Sequence, residues 1–291
     1  MEDRNAANPC GAATDTRTLR RLVIGEGPTG EGMQGPTSLA AAVDVETTGI
    51  DPAQDRIIEF AIRQFRFDAA GVITEIGSVH RWLEDPGWSL DPEITRLTGL
   101  KDADLVGQYI NDPVAVSVLN AADVIIAHNA AFDRRFVENR LFLARGLRWA
   151  CSCREIDWPA RGFDGRGLGW LLCQSGWFHE GHRSSDDVDA LIALLRHRNE
   201  DGRTALRELV DTAGTPGWIV RAVGASFDVK DRLKARGYRW DASRSVWFKE
   251  ISEADRLAEE FWLTSNVYTA AARPRAFAPE LEPVDWATRW A

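Results

Sequence analysis

The chain has 291 residues and a mass of 32.4 kDa, with 44% hydrophobic and 27% charged residues. That composition buries a full core and excludes a globally disordered chain or a fibre. Lys and Arg number 35 against 44 Asp and Glu, a formal net charge of −9. Bulk coating of nucleic acid is thereby excluded, while an enzyme with a local basic groove is not.

The opening MEDRNAANPC has acids and no apolar stretch behind them, so no signal peptide is expected. No run approaches the roughly eighteen apolar residues of a membrane span. Four scattered cysteines make no disulfide framework and fit a reducing cytoplasm. Residues 1–37, with NPCGAA and GEGPTGEGMQGP, read as a flexible segment with room for one short ordered piece. From Ser38, SLAAAVDVE reads as a compact apolar strand, TTGIDPAQD as a turn, and RIIEFAIRQFRF as a second strand. VITEIGSVHRWL is a third strand after the loop DAAG. PEITRLTG is a short helix opened by Pro92 and closed by Gly99. DPVAVSVLNAA is a helix with Asp112 as its cap and Pro113 at its first position. DVIIAHN is a short strand, and FDRRFVENRLFLARG a helix ending at Gly146. LGWLLCQSG gives a helix closed by Gly176, and SSDDVDALIALLRHR one with Val188, Leu191, Ile192 and Leu195 on a single stripe.

These elements make an α/β domain over 38–211. After the linker TAGTPG, residues 217–265 read as a small α+β domain: GWIVRAV (strand), SFDVKDRLKARG (helix), YRWDASRSVWFKE (a turn between short strands) and SEADRLAEEFWL (helix). Residues 266–291, with several prolines, read as an irregular tail.

Three acidic positions stand out. Asp44 and Glu46 lie two apart at the end of a buried strand, so they share a face and need a compensating cation. Strand-end solvation is the alternative for a lone D-x-E. Asp133 follows the strand ending at His128 and Asn129 and falls in the first turn of the next helix, beyond the carboxyl end of the strand, where α/β sheets gather functional groups. Helix-start stabilisation explains such an acid equally well. Asp187 borders the apolar stripe of its helix, whereas Asp186 points to the polar side. His182 lies five residues earlier, in a loop with Gly181.

In this order and spacing the chain resembles the DnaQ-like, RNase H-like 3′–5′ exonucleases of the DEDDh type, the group containing the proofreading subunit of bacterial DNA polymerase III. The matching segments are VDVETTG at 43–49, ITRLTGL at 94–100, IIAHNAAFDRRF at 125–136 and HRSSDDVDA at 182–190. The resemblance implies an RNase H-like mixed five-stranded sheet flanked by helices. It implies two divalent cations, Mg²⁺ or Mn²⁺, held by Asp44, Glu46, Asp133 and Asp187, with His182 as general base. It also implies contacts to the terminal nucleotide from Thr47, Leu100 and Asn129. The expected reaction releases nucleoside 5′-monophosphates from single-stranded or frayed DNA 3′ ends. The alternatives are an exoribonuclease or RNA-trimming enzyme, a polymerase-associated proofreading subunit, and a non-catalytic nucleic-acid-binding module. With no polymerase domain or clamp-binding peptide recognised, a stand-alone repair or processing enzyme of a bacterial cytoplasm is the favoured setting.

Cys151, Cys153, Cys173 and His179 have poor spacing for zinc and are expected to pack. Arg161 and Arg166 sit in the glycine-rich loop ARGFDGRGLG and are candidate nucleic-acid contacts. Between 217 and 249 eight Lys and Arg face three acids, with Trp218, Tyr238, Trp240 and Trp247 interleaved. Lys230, Lys234, Arg239, Trp240 and Trp247 are therefore further candidates, through phosphate neutralisation and base stacking. A domain this small also needs tryptophans for its core. The segment resembles a small bacterial module with the pattern K-D-x-x-K…G-x-R-W-D…W, found in DNA-processing and mobile-element proteins.

Overall fold

The computed structural model describes residues 17–33, 35–242 and 244–291; residues 1–16 of the expected flexible segment lie outside them. The chain first gives β1 (Arg20–Arg21), β2 (Gly27–Pro28), β3 (Ser38–Thr47), β4 (Ile57–Phe67) and β5 (Ile73–Leu83). The helices α1 (Pro92–Thr98), α2 (Asp102–Leu105) and α3 (Asp112–Ala121) precede β6 (Val124–Ala127), α4 (Ala130–Arg140) and β7 (Trp149–Cys151). Then come α5 (Leu168–Gln174), β8 (Trp177–Phe178), α6 (Ser184–Leu195) and α7 (Ala205–Gly214). The remainder is β9 (Gly217–Arg221), α8 (Lys230–Ala235), β10 (Arg239–Asp241), β11 (Val246–Ser252), α9 (Arg256–Asn266) and β12 (Glu280–Val284).

The large sheet has the order β2-β5-β4-β3-β6-β7, antiparallel from β2 to β3 and parallel from β3 to β7. This is the expected RNase H-like mixed sheet with six strands in place of five. The extra strand is β2, which pairs with the outer edge of β5; β1 pairs with β8. The described residues within 17–37 are thus partly structured, with Leu22 and Ile24 packing on the core and Val23 and Met33 exposed.

Both faces of β3 are covered, which is why its sequence is almost continuously apolar. Ala40 and Ala42 face a layer containing Val188, Leu191 and Leu195 of α6, and Ala41, Val43 and Val45 face one containing Leu119 of α3 with Phe136 and Val137 of α4. The two-residue period therefore carries Asp44 and Glu46 onto the α6 side. Two helix ends differ from expectation. Asn111 caps α3, its side chain accepting from the Val114 amide, so Asp112 is already helical. Helix α4 stops at Arg140 and a short 3₁₀ turn fills 142–144 before Gly146.

A second, smaller antiparallel sheet has the order β10-β11-β9-β12, with Leu233 of α8 and Leu263 of α9 in the core against Val220 and Ile251. Part of the expected irregular tail supplies β12. Pro283 is compatible because β12 is an edge strand, where a missing N–H costs no ladder bond. Beyond it the chain returns to the large unit: the Trp149 amide donates to the Trp286 carbonyl (2.7 Å), and Arg289 pairs with Glu155 (3.0 Å), both nearly buried. Among the described residues no helix is long and apolar enough to cross a membrane.

Candidate active site

Asp44, Glu46 and Asp187 each offer a carboxylate oxygen, and these atoms lie within 4.8 Å of one another. Two come from the end of β3 and the third from the first turn of α6. The pairing register slips by one residue between Glu46 and Thr47, with Ile58 of β4 left over, where β3 ends. Asp187 is buried and faces this cluster.

Asp133 is buried on α4, in the opposite layer, and its Oδ1 accepts from the Val45 amide at 3.2 Å. It adjoins the trio without sharing its tight spacing. Loss of water raises the pKa of Asp44 well above the usual range, and repulsion from Asp133, Asp187 and Glu46 adds to it. Glu46 is pushed up to about 8 by the same desolvation, then by the charges of Asp187 and Glu59. Asp133 is also raised, chiefly by burial. So much under-compensated negative charge is the signature of a site built for a cation. The donors are hard oxygens with no thiolate among them, which fits a Mg²⁺- or Mn²⁺-type ion.

Residues around α6 hold the trio in place. Glu59, fully buried and directly across from Glu46 on β4, is bonded by Arg81 and accepts from the Ser184 amide at 3.2 Å. Arg183 lies 3.8 Å from the same carboxylate. One turn further along α6, Asp189 is bonded by the buried Arg63. The loop before α6 wraps Asp187 itself: His179 Nε2 lies 2.7 Å from Oδ1, and the His182 backbone N–H donates to Oδ2 at 2.9 Å. His182 adopts a left-handed φ of 64°, and its exposed ring makes no hydrogen bond among the described residues. His128, at the end of β6, has Nε2 2.7 Å from the Arg166 carbonyl and Nδ1 2.8 Å from Ser152 Oγ. A carbonyl only accepts, so the ring donates through Nε2 and takes the serine proton at Nδ1.

The structure sorts the remaining sequence candidates. Asn129 precedes α4 in a left-handed conformation (φ 82°), its side chain uncommitted among the described residues. The Thr47 hydroxyl donates to the Gly49 carbonyl at 2.5 Å, so it belongs to the turn. Leu100, another expected nucleotide contact, lies in the core. It is buried with Ile58, Leu90 and Leu105, because the turn after α1 folds it inward. Arg161 is likewise no surface contact: it is buried, paired with Glu208 at 2.7 Å, and donates to the Thr204 carbonyl. Arg166 is exposed beside His128's anchor. Lys230, Lys234, Arg239, Trp240 and Trp247 lie on the smaller sheet unit.

Among the described residues the acidic trio is the one group of His, Cys, Asp and Glu placed to hold a metal, and Cys151 is a core residue whose thiol burial pushes up to about 11. Sequence reasoning missed Glu59 and His179. An acid between Ile58 and Phe60 in a strand buried on both faces was the available signal for Glu59. Nothing in the spacing of His179 identified it.

Comparison with known proteins gives the same address. Residues 41–195 match the RNase T exonuclease family model. The DNA polymerase III subunit epsilon of Treponema pallidum is 30% identical over 169 residues, 53% of this chain and 73% of that protein. The ribonuclease T of Shewanella frigidimarina is 29% identical over 119 residues, 36% of this chain and 53% of that protein. Among solved structures, exonuclease I superposes with a TM-score of 0.49 at 18% identity, covering 86% of this chain and 63% of that one. Exonuclease X in complex with 5′ overhanging duplex DNA gives 0.41 at 17% identity, covering 58% and 99%. The matched span contains every carboxylate of the site, and the chain belongs to the RNase T exonuclease family.

Proposed function

We propose that this metal-dependent 3′–5′ exonuclease acts on single-stranded or frayed DNA ends, using two divalent ions and a histidine base. The observation that carries the reading is the trio Asp44, Glu46 and Asp187, three carboxylates within 4.8 Å at the carboxyl end of a buried strand. Asp44, Glu46 and Asp187 would hold one ion, and Asp133, on the neighbouring helix α4, would help Asp44 hold a second. When bound, such ions supply Lewis-acid activation of water and stabilise charge on phosphorus and the leaving oxygen.

The chain's own groups do the rest. His182 takes the proton from the attacking water; its backbone N–H, bonded to Asp187 Oδ2 at 2.9 Å, holds the loop that carries the ring beside that carboxylate. His179 orients Asp187 through Oδ1, the role that partners of ligating carboxylates fill in metal sites. Asn129, which precedes α4 with its side chain uncommitted among the described residues, contacts the terminal nucleotide. Water adds to phosphorus, the bond from phosphorus to the 3′ oxygen of the penultimate sugar breaks, and a nucleoside 5′-monophosphate leaves.

Oligonucleotides labelled at the 5′ end, as single-stranded DNA, duplex DNA and RNA, each with Mg²⁺, Mn²⁺ or EDTA, test this reading. A ladder shortening from the 3′ end, fastest on single-stranded DNA and absent in EDTA, is expected. Preference for RNA would replace the substrate and keep the site; a ladder independent of divalent ions would remove the site.

A further inference from the structure

The smaller sheet unit carries a strip of cations and rings that no part of the catalytic chemistry uses. Several of its Lys and Arg are neutralised internally: Arg221 pairs with Glu282, and Arg236 and Lys249 both pair with the buried Glu259. Lys230, Lys234 and Arg239 make no ion pair among the described residues, although Asp228 and Asp231 flank Lys230 in the chain.

What these three touch is aromatic. The Lys230 ammonium sits 3.8 Å from the centre of the Phe227 ring, Lys234 lies 5.9 Å from Trp247, and the Arg239 guanidinium 5.2 Å from Phe248. Trp247 meets Trp240 edge-on at 5.4 Å, the two being cross-strand partners of β10 and β11. Phe227, Lys230, Lys234, Trp247 and Trp240 therefore form one continuous strip, since Lys230 and Lys234 are one helical turn apart on α8. Phe227 is 75% and Trp240 51% exposed. A ring attracts a cation through its quadrupole but carries no net charge, so each ammonium stays free to neutralise an anion.

We propose that this strip is a non-catalytic binding site for a single strand of nucleic acid, with phosphates on Lys230 and Lys234 and bases stacked on Trp240 and Phe227. Alternating unpaired cations and exposed rings complement a polyanion that also presents planar faces. An acidic peptide matches the charges and leaves the rings unused. The proposal extends the exonuclease reading, and its test is run in EDTA, so binding is scored with hydrolysis absent.

The experiment is fluorescence anisotropy of the full chain with labelled oligo(dT) of about 20 nucleotides across a salt series. Lys230→Ala with Lys234→Ala should lower the slope of log affinity against log salt by about 1.4, the counterions released by two phosphates of a single strand. Trp240→Ala should weaken binding roughly 5- to 100-fold with the slope unchanged. The pair Lys230→Gln and Lys234→Gln repeats the charge test with the helix-compatible stems kept. Polyglutamate should fail to displace the strand where unlabelled oligo(dT) succeeds. Unchanged affinity and slope in variants with wild-type circular dichroism would overturn the proposal. Displacement by polyglutamate as effective as by oligo(dT) would overturn it too, assigning the strip to acidic peptides.

Discussion

His179 Nε2 lies 2.7 Å from Asp187 Oδ1, while His182, the histidine in register with the family motif, reaches Asp187 only through its backbone N–H. Two histidines on one loop thus address one carboxylate in different ways, and their substitutions should separate. His182→Ala should reduce single-turnover cleavage roughly 10²–10⁴-fold with divalent-ion affinity nearly unchanged. His179→Ala should weaken Mn²⁺ binding by about 10–100-fold, because the ligand it orients is released. Calorimetry with Mn²⁺ and a quenched-flow assay read the two effects; a metal defect in His182→Ala and none in His179→Ala would reverse the assignment.

The site strains the protein that contains it. Folding without metal brings Asp44, Glu46 and Asp133 into surroundings that raise their pKa values. Asp44→Asn removes a group that folding must either protonate or leave charged without a partner, and keeps the shape. Hydrolysis should be nearly abolished, while the metal-free protein should melt at least about 2 °C higher. Differential scanning fluorimetry in EDTA checks the second half, and a lower melting temperature would show that the carboxylates are compensated by something other than metal.

The pH dependence follows with its sign. A carboxylate whose folded pKa lies above its unfolded value holds more protons in the folded state, so its contribution to stability falls as pH rises. For Glu46 the window runs from the ordinary value of 4.5 to about 8. Metal-free protein should lose stability across that window, and saturating Mg²⁺ should remove most of the loss. Metal binding at pH 7 should release protons, so calorimetric enthalpies should vary with the ionisation heat of the buffer. Buffer-independent enthalpies would show that the carboxylates are already ionised.

Glu59 is a positioning residue. Its fully buried carboxylate joins β4 to the start of α6 through the Ser184 amide and to β5 through Arg81. Glu59→Ala should destabilise the fold by about 2–4 kcal/mol, below the cost of isolating a fully buried charge because Arg81 and Arg183 are a third exposed. Glu59→Gln should recover stability more than activity, since the amide still accepts the Ser184 N–H while the charge facing Arg81 is gone. Urea unfolding beside kcat measurements distinguishes the two.

Much of the site was legible in the sequence because its parts obey local periodicities. Spacing of two puts Asp44 and Glu46 on one face of a strand, and the apolar stripe of α6 separates Asp187, which faces the cluster, from Asp186. Asp186→Asn should accordingly be mild where Asp187→Asn loses both metal and activity. Tertiary contacts were not legible. Arg161 in a glycine-rich loop and Leu100 in a motif segment read as substrate contacts, yet both are buried, Arg161 paired with Glu208 and Leu100 packed with Ile58. The segment at 280–284 reads as irregular because two glutamates and a proline interrupt it, and only the open edge of β9 makes it a strand. Glu59 stayed hidden because its partners, Arg81 and Ser184, are distant in the chain.

Single-turnover hydrolysis of a 5′-labelled single-stranded DNA by the wild-type chain and by Asp44→Ala, each with Mn²⁺ and with EDTA, tests the central claim most directly. The account predicts stepwise shortening from the 3′ end with release of 5′-monophosphates by the wild type in Mn²⁺ alone. It predicts a folded but inactive Asp44→Ala protein. Wild-type rates in EDTA, or an Asp44→Ala variant that keeps most of its activity with Mn²⁺ still bound, would contradict it.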